Sequence, residues 1–286
     1  MARSPITAKD GISPQKTMLM GKVPAHPDFF AGAAGDSPFG FGERIPAGTV
    51  LAKPVLAWFH PDVPEEPEIP FDYTTVGTAA GLIVVDKPCF VPSTSNGRIV
   101  RETVQTRLRV RTGNPDIVPV HRLDRLTSGL LACSTDPASR AWYQGQFARR
   151  EAVKTYRALL VDDPGLPSHW TEIALPMRRQ PGKHQVAVDP GGTPTRTLAR
   201  SLGGHLVELR PLTGFTHQLR VVCAYLGAAI EGDDTYPVSK PLQLYNYSVT
   251  LKLCATRLEL REWGAGARLV WTLPRLAESG FWGATE

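Results

Sequence analysis

Three short stretches place chemically competent side chains where the residue pattern changes. HRLDRLTSGLL (121–131) sets Asp124 between Arg122 and Arg125, just ahead of a small, apolar run. KTYRALL (154–160) carries Lys154 and Tyr156, and LTGFTHQLR (212–220) ends in Arg220. A carboxylate that acts as a nucleophile must stay charged in a partly dry pocket, and a guanidinium nearby favours the charged form. Arg220 is the natural partner for Asp124 on this reading, because it opens a helix out of the turn Thr213-Gly214. Tyr156 offers a flat ring for stacking and a phenol able to relay a proton. Arg149, Arg150, Lys154 and Arg157 form a basic run. Alone such a run is a solvated face; beside a site it suits phosphate contact.

The elements that must hold these groups are partly legible. Leu82-Ile83-Val84-Val85 is a β-branched strand stopped by Asp86-Lys87-Pro88, and Gly129–Cys133 reads as a second strand. Asp136-Pro137 supplies an N-cap followed by proline at the first helical position, so a helix is predicted over 137–150. Residues 151–161 and 205–212 read as strands, and Thr216 to Leu226 as a helix ended by Gly227. Strands and helices mix without a βαβ rhythm, which predicts an α+β fold with a largely antiparallel or mixed sheet. Residues 1–75 are rich in Pro and Gly, with two short strands expected in RIPAGTVLAKPVLAWFH (44–60). PDVPEEPEIP (61–70) has proline at a period of three and reads as an extended, solvated linker. The expected division is therefore an N-terminal extension, 1–75, and a catalytic domain, 76–286.

The 286 residues suffice for one large domain with an appendage. No apolar run approaches the roughly 18 residues of a membrane span, and the N-terminus lacks the apolar core of a secretory signal, so a cytoplasmic protein is expected. Cys89, Cys133, Cys223 and Cys254 never form CxxC and read as free thiols, not zinc ligands. Residues 1–75 carry six Lys/Arg against nine Asp/Glu, which leaves +8 on the remainder of a chain whose total is +5. A basic body behind an acidic leader suits a polyanion such as RNA.

Taken in order, LIVVDKP (82–88), HRLDRLTSGLL, KTYRALL, LTGFTHQLR with LGAAIEGDDTYP (226–237), and LKLCATRLEL (251–260) form a series. The series resembles the RluA branch of the pseudouridine synthases, whose motifs read HRLDxxTSG, K-x-Y, and TGRTHQIR followed by LGHPIxGDxxY. The likeness covers about residues 81–260. It implies a long, mostly antiparallel mixed sheet flanked by helices, with a central cleft. It also implies conversion of uridine to pseudouridine in ribosomal or transfer RNA, with the glycosidic N–C bond broken and remade as C–C at C5. On that resemblance Asp124 is the nucleophile or ion-pair stabiliser, Tyr156 stacks on the uracil and moves a proton, and Arg220 pairs with Asp124. Attack on C1′, attack on C6 and elimination from the sugar all remain open.

Arg122 would fill the gap left by a flipped-out base or hold the flanking phosphate. Arg125, Lys154, Arg149, Arg150 and Lys87 are further candidate RNA contacts, Lys87 and Arg125 also reading as plain loop and surface residues. His121 and Thr127-Ser128-Gly129 are expected to shape the loop. No cofactor, metal, membrane or obligate protein partner is implied, and a monomer is expected. The chain departs from the pattern at Phe215 (arginine in the family), Val222 (histidine) and Ala228-Ala229 (His-Pro). The Phe215 and Val222 departures support an alternative, a non-catalytic RNA-binding or ribosome-assembly factor. A carboxylate-dependent glycosidase is a third reading, which needs two carboxylates about 5–9 Å apart; Asp233 is the only other acid within a matched motif.

Overall fold

The acidic leader is built on a sheet. β1 (Gln15–Lys22), β2 (Phe29–Ala31), β3 (Arg44–Ile45) and β4 (Val50–Phe59) pair antiparallel in the order β1-β4-β2-β3. One face buries Leu19, Phe29, Ala31, Ile45, Leu51, Val55 and Ala57. β3 and β4 answer the expected strands of 44–60; β1 and β2 lie in sequence that reads as irregular. The computed structural model describes residues 4–32 and 37–277.

This unit is completed by a segment from further along the chain. Residues 94–117 fold with Met1–Pro67, although a single cut after residue 75 assigns them to the larger part. The ties are polar and specific. The Glu66 carboxylate accepts the amide hydrogens of Val100 (2.7 Å), Arg101 (3.0 Å) and Glu102 (3.2 Å). Helix α1 (Val104–Thr112) starts where the Thr103 side chain accepts from the Thr106 amide, and ends at Gly113 in the left-handed region. Its buried Arg109 donates to the Gly11 carbonyl, the Ser13 hydroxyl and the Ile117 carbonyl.

The second unit, Glu68–Ser93 and Val118 onward, carries the sequence motifs. Its strands are β5 (Thr74–Ala79), β6 (Leu82–Lys87), β7 (Val118–Pro119), β8 (Ser128–Ser134), β9 (Val153–Leu159), β10 (Thr171–Arg179), β11 (Val186–Val188), β12 (Thr193–Gly203), β13 (Leu206–Pro211), β14 (Leu253–Arg261) and β15 (Arg268–Thr272). They form an eleven-stranded sheet in the order β11-β10-β12-β13-β9-β14-β8-β6-β5, with β15 on β14 and β7 on β8. Among the described residues the one parallel pairing is β14 with β8, so the sheet is mixed and mostly antiparallel, as expected. Every residue of β8 is buried, which is what a central strand covered on both faces requires.

Helix α2 (Pro137–Ala148) packs on β8 and β14, and α3 (Gln218–Tyr225) packs on β10 to β13. The Asp136 carboxylate caps α2 by accepting from the Ala138 amide (2.8 Å), with Pro137 next to it. The fully buried Tyr143 donates its hydroxyl hydrogen to the Ala80 carbonyl (2.7 Å), fixing α2 to the β5–β6 turn. No helix among the described residues is long and apolar enough to cross a membrane.

Candidate active site

Asp124 sits on the loop between β7 and β8, and that loop is pinned from below. The Ser93 hydroxyl donates to the Leu123 carbonyl (2.9 Å) and accepts from the Leu123 amide (3.1 Å). Lys87 donates to the carbonyl of Arg125 (3.1 Å), and the Cys89 thiol to that of Leu126 (3.0 Å). A turn closed by the Thr127 amide on the Asp124 carbonyl (3.0 Å) then leads into β8. Gly129 follows with φ 103°, opposite Ala255 of β14; a Cβ there would lie 2.3 Å from the Ala255 carbonyl oxygen. The TSG of the motif is thus the place where two backbones approach too closely for any side chain.

The loop opens into a cavity of about 810 Å³. Asp124, Tyr156 and Arg220 all line it, brought together from the β7–β8 loop, β9 and α3. So do Arg122, Arg150 and Lys154 of the expected RNA contacts, together with Arg179, Arg196 and Arg210. Among the described lining residues Asp124 is the one acid, facing seven Lys/Arg. Leu198, Pro211, Leu212, Phe215 and Leu253 supply apolar wall. The result is a single carboxylate at a cationic opening with room for a planar group against an apolar surface.

Tyr156 is buried, and burial followed by the nearby Asp124 charge raises the pKa of its phenol, which stays protonated. Burial lowers the pKa of Lys154. His121 stacks on Phe147 (4.6 Å between centroids) and its Nε2 accepts from the Ala132 amide (3.1 Å). Burial, and then Lys154, push its pKa down to about 3, so this imidazole is neutral and structural, the loop-shaping role expected of it.

Three expectations need correction. Arg220 does not make its direct contacts with Asp124. Its guanidinium is buried against Asp233 and Asp234, with Nε to Asp233 Oδ2 and Nη2 to Asp234 Oδ1 both at 2.8 Å. Burial works against that charge, but the hydrogen bond and charge of Asp233, with Asp234 and Asp124 behind them, more than reverse it and raise the pKa of Arg220. Asp124 therefore acts on Arg220 only through space. Asp233 in turn accepts the amides of Thr235 and Tyr236, is paired with Arg220 and does not line the cavity, so the arginine-free second carboxylate that the glycosidase reading needs is not found among the described lining residues.

Lys87 is the second correction. It is fully buried and donates all three ammonium hydrogens to the carbonyls of Pro88 (2.8 Å), Val91 (2.8 Å) and Arg125 (3.1 Å). Burial lowers its pKa to about 8, and no face of it is left for RNA. The third concerns Arg149 and Arg125. Arg149 pairs with Glu151 at the exposed end of α2, and Arg125 turns to the Leu244 carbonyl (3.3 Å) and the Phe90 ring. Neither lines the cavity.

The departures from the family pattern fall mostly in packing. Val222 and Ala228 are buried, Val222 within the apolar cluster of Leu175, Met177, Val186, Val221 and Tyr236, against which Phe215 packs. They exchange polar groups for core and leave Asp124, Tyr156 and Arg220 in place. Sequence reasoning missed His217, whose Nε2 faces Asp124 Oδ2 at 4.0 Å. It also missed Arg179, Arg196 and Arg210, which as isolated strand cations carry no local signal. For His217 a signal existed, since it lies inside the motif that supplied Arg220.

Comparison with known proteins follows the same residues. Residues 81–225 match the family described as RNA pseudouridylate synthase. Pseudouridylate synthase RPUSD2 of Homo sapiens is 34% identical over 160 residues, covering 54% of this chain and 29% of that protein. The dual-specificity RNA pseudouridine synthase RluA of Yersinia pestis is 32% identical over 192 residues, covering 62% of this chain and 89% of that one. Among solved structures, human RNA Pseudouridylate Synthase Domain Containing 1 superposes with a TM-score of 0.58 at 25% identity, over 73% of this chain and 86% of that chain. The matched part spans less than a third of the length of the human RPUSD2.

Proposed function

The chain belongs to the RNA pseudouridylate synthase family, in its RluA-type branch, and on that premise we propose that it isomerises uridine to pseudouridine in ribosomal or transfer RNA. The reaction breaks N1–C1′, forms C5–C1′, releases the C5 hydrogen to solvent and returns a proton to N1. The observation that carries this reading is the one carboxylate, Asp124, set among seven Lys/Arg in the described lining of the cavity. Asp124 is the group that reacts with, or stabilises, the detached sugar. Tyr156 stacks on the uracil from β9, and its protonated phenol is a poor base but a usable hydrogen-bond donor at the ring. Arg220, locked to Asp233 and Asp234, supports Asp124 as a fixed positive charge beneath the site.

Arg122, Arg150 and Lys154 take the phosphates flanking a base that has left its stack, which costs a few kcal/mol of unstacking. Arg122 and Arg150 are exposed and suit this. A monomer acting in the cytoplasm completes this reading.

The test is tritium release from RNA labelled at C5 of uridine, comparing the wild type with Asp124→Ala. Release by the wild type and none by the variant, with RNA binding retained, is the expected outcome. Equal absence of release from every RNA pool, with binding intact, would instead favour a non-catalytic RNA-binding factor.

A further inference from the structure

His217 has an unusual backbone and an unusual set of neighbours. It occupies the N-cap position of α3 with φ 57° and ψ 16°, where caps ordinarily sit in the extended region, and its side chain makes no capping hydrogen bond. A left-handed conformation at a residue with a Cβ costs about 1–2 kcal/mol. Such strain persists where surrounding contacts hold it, often at a functional site. Here the conformation turns the imidazole away from the helix end and into the cavity, between Tyr236 and Asp124.

The hydrogen bonds fix which ring nitrogen carries the proton. The hydroxyl of the buried Tyr236 already accepts the Val186 amide hydrogen (2.7 Å). A buried phenol hydrogen needs an acceptor, and among the described contacts His217 Nδ1, at 3.1 Å, is the one within reach. Nδ1 is then the acceptor, and the hydrogen lies on Nε2, the nitrogen that faces Asp124 Oδ2 at 4.0 Å. At that distance the bond is not yet made, as is common before substrate closes a site.

We propose that His217 is a positioning residue for Asp124: Tyr236 holds it as the Nε2–H tautomer, and it presents that hydrogen to one carboxylate oxygen, leaving the other to the sugar. The assignment rests on the isomerase reading above. It explains why α3 starts on a strained residue and why Tyr236 reaches across to that ring. Burial, opposed by the Asp124 charge, lowers the pKa of His217, and the other charges facing it are Arg220, Asp233 and Asp234. A neutral ring is the form that the tautomer argument requires.

The experiment is single-turnover tritium release from C5-labelled bulk cellular RNA with enzyme in excess, reading the maximal rate and the half-saturating enzyme concentration separately. His217→Phe should lower the maximal rate by about 100-fold, the scale of a small misplacement of a reacting group, with the half-saturating concentration unchanged. His217→Gln, which restores an N–H donor, should recover part of that rate. His217→Gly relieves the strain but orphans the Tyr236 hydroxyl, so its unfolding temperature need not rise, and its folded fraction should still be slow. A purely structural histidine predicts a lower unfolding temperature with a normal rate in the folded fraction. An active wild type with His217→Phe and His217→Gly equally fast overturns this inference alone. A wild type silent on all RNA, and indistinguishable from Asp124→Ala, overturns the isomerase reading and the inference with it.

Discussion

Lys87 and Arg122 are both cations inside matched motifs, yet they belong to different measurements. Lys87→Ala removes the donor from three carbonyls, one in a buried pair and two in partly buried ones. At about 1–3 kcal/mol for each unsatisfied buried group, moderated by relaxation, the loss should exceed about 3 kcal/mol in urea unfolding. Arg122→Ala, at an exposed residue, should leave that transition in place. It should instead reduce the slope of log K against log salt for RNA binding by about 1, one phosphate contact fewer. His121 adds a pH signature. Its pKa falls from 6.5 to about 3 on folding, so between those values the unfolded chain takes up a proton that the folded chain refuses. Stability from this group is full above pH 6.5 and declines as pH falls through that window. His121→Gln keeps an acceptor for the Ala132 amide and cannot titrate. Its unfolding midpoint should therefore drop less than that of the wild type between pH 7 and pH 5. Residue types were legible in the sequence here; their direction was not. Whether Lys87 faces RNA or carbonyls is decided by Pro88, Val91 and Arg125 folding around it, and no local pattern reports that.

At the scale of elements, the C-terminus of α2 carries a testable conflict. Arg150 sits just past the cap residue Arg149 with φ 62°, where helices ordinarily place glycine, while its side chain lines the cavity. Arg150→Gly should stabilise the protein by about 1 kcal/mol, the strain of the left-handed conformation less the added freedom of the unfolded chain. The same change should weaken RNA binding and flatten its salt dependence. Thermal unfolding and a salt titration on one variant should thus move in opposite directions. α2 and α3 were readable because their signals are local: Asp136-Pro137 at one start, Gly227 beyond one end. β6, β8, β9 and β13 were readable from apolar or alternating runs, and β14 only through the family resemblance of 251–260. β10 to β12 were not, because TEIALPMRR and TPTRTLARSLG mix exposed charge with proline and alternate only in part. Pairing was illegible throughout, since the neighbours of β8 are β6, from before it, and β14, from more than a hundred residues later.

For the molecule as a whole, the division into units follows contacts that skip along the chain. The proline-rich stretch was silent about the return of 94–117, whose ties to Glu66, Gly11 and Ser13 are long-range hydrogen bonds. Deleting residues 1–67 removes those partners and leaves α1 behind. The expected product is cut by trypsin after Arg107 and Arg109, sites that mass spectrometry should find protected in the full chain. Within the larger unit, β14 lies between β9 and β8, joining the strands that carry Tyr156 and α3 to those that carry Asp124. A chain is synthesised from its N-terminus, so β14 leaves the ribosome after every other strand of this sheet except β15. Until it does, Asp124 and Tyr156 stand on two separate pieces of sheet. The cavity they share therefore takes shape only once β14 is in place: the order of the strands sets when the site is complete.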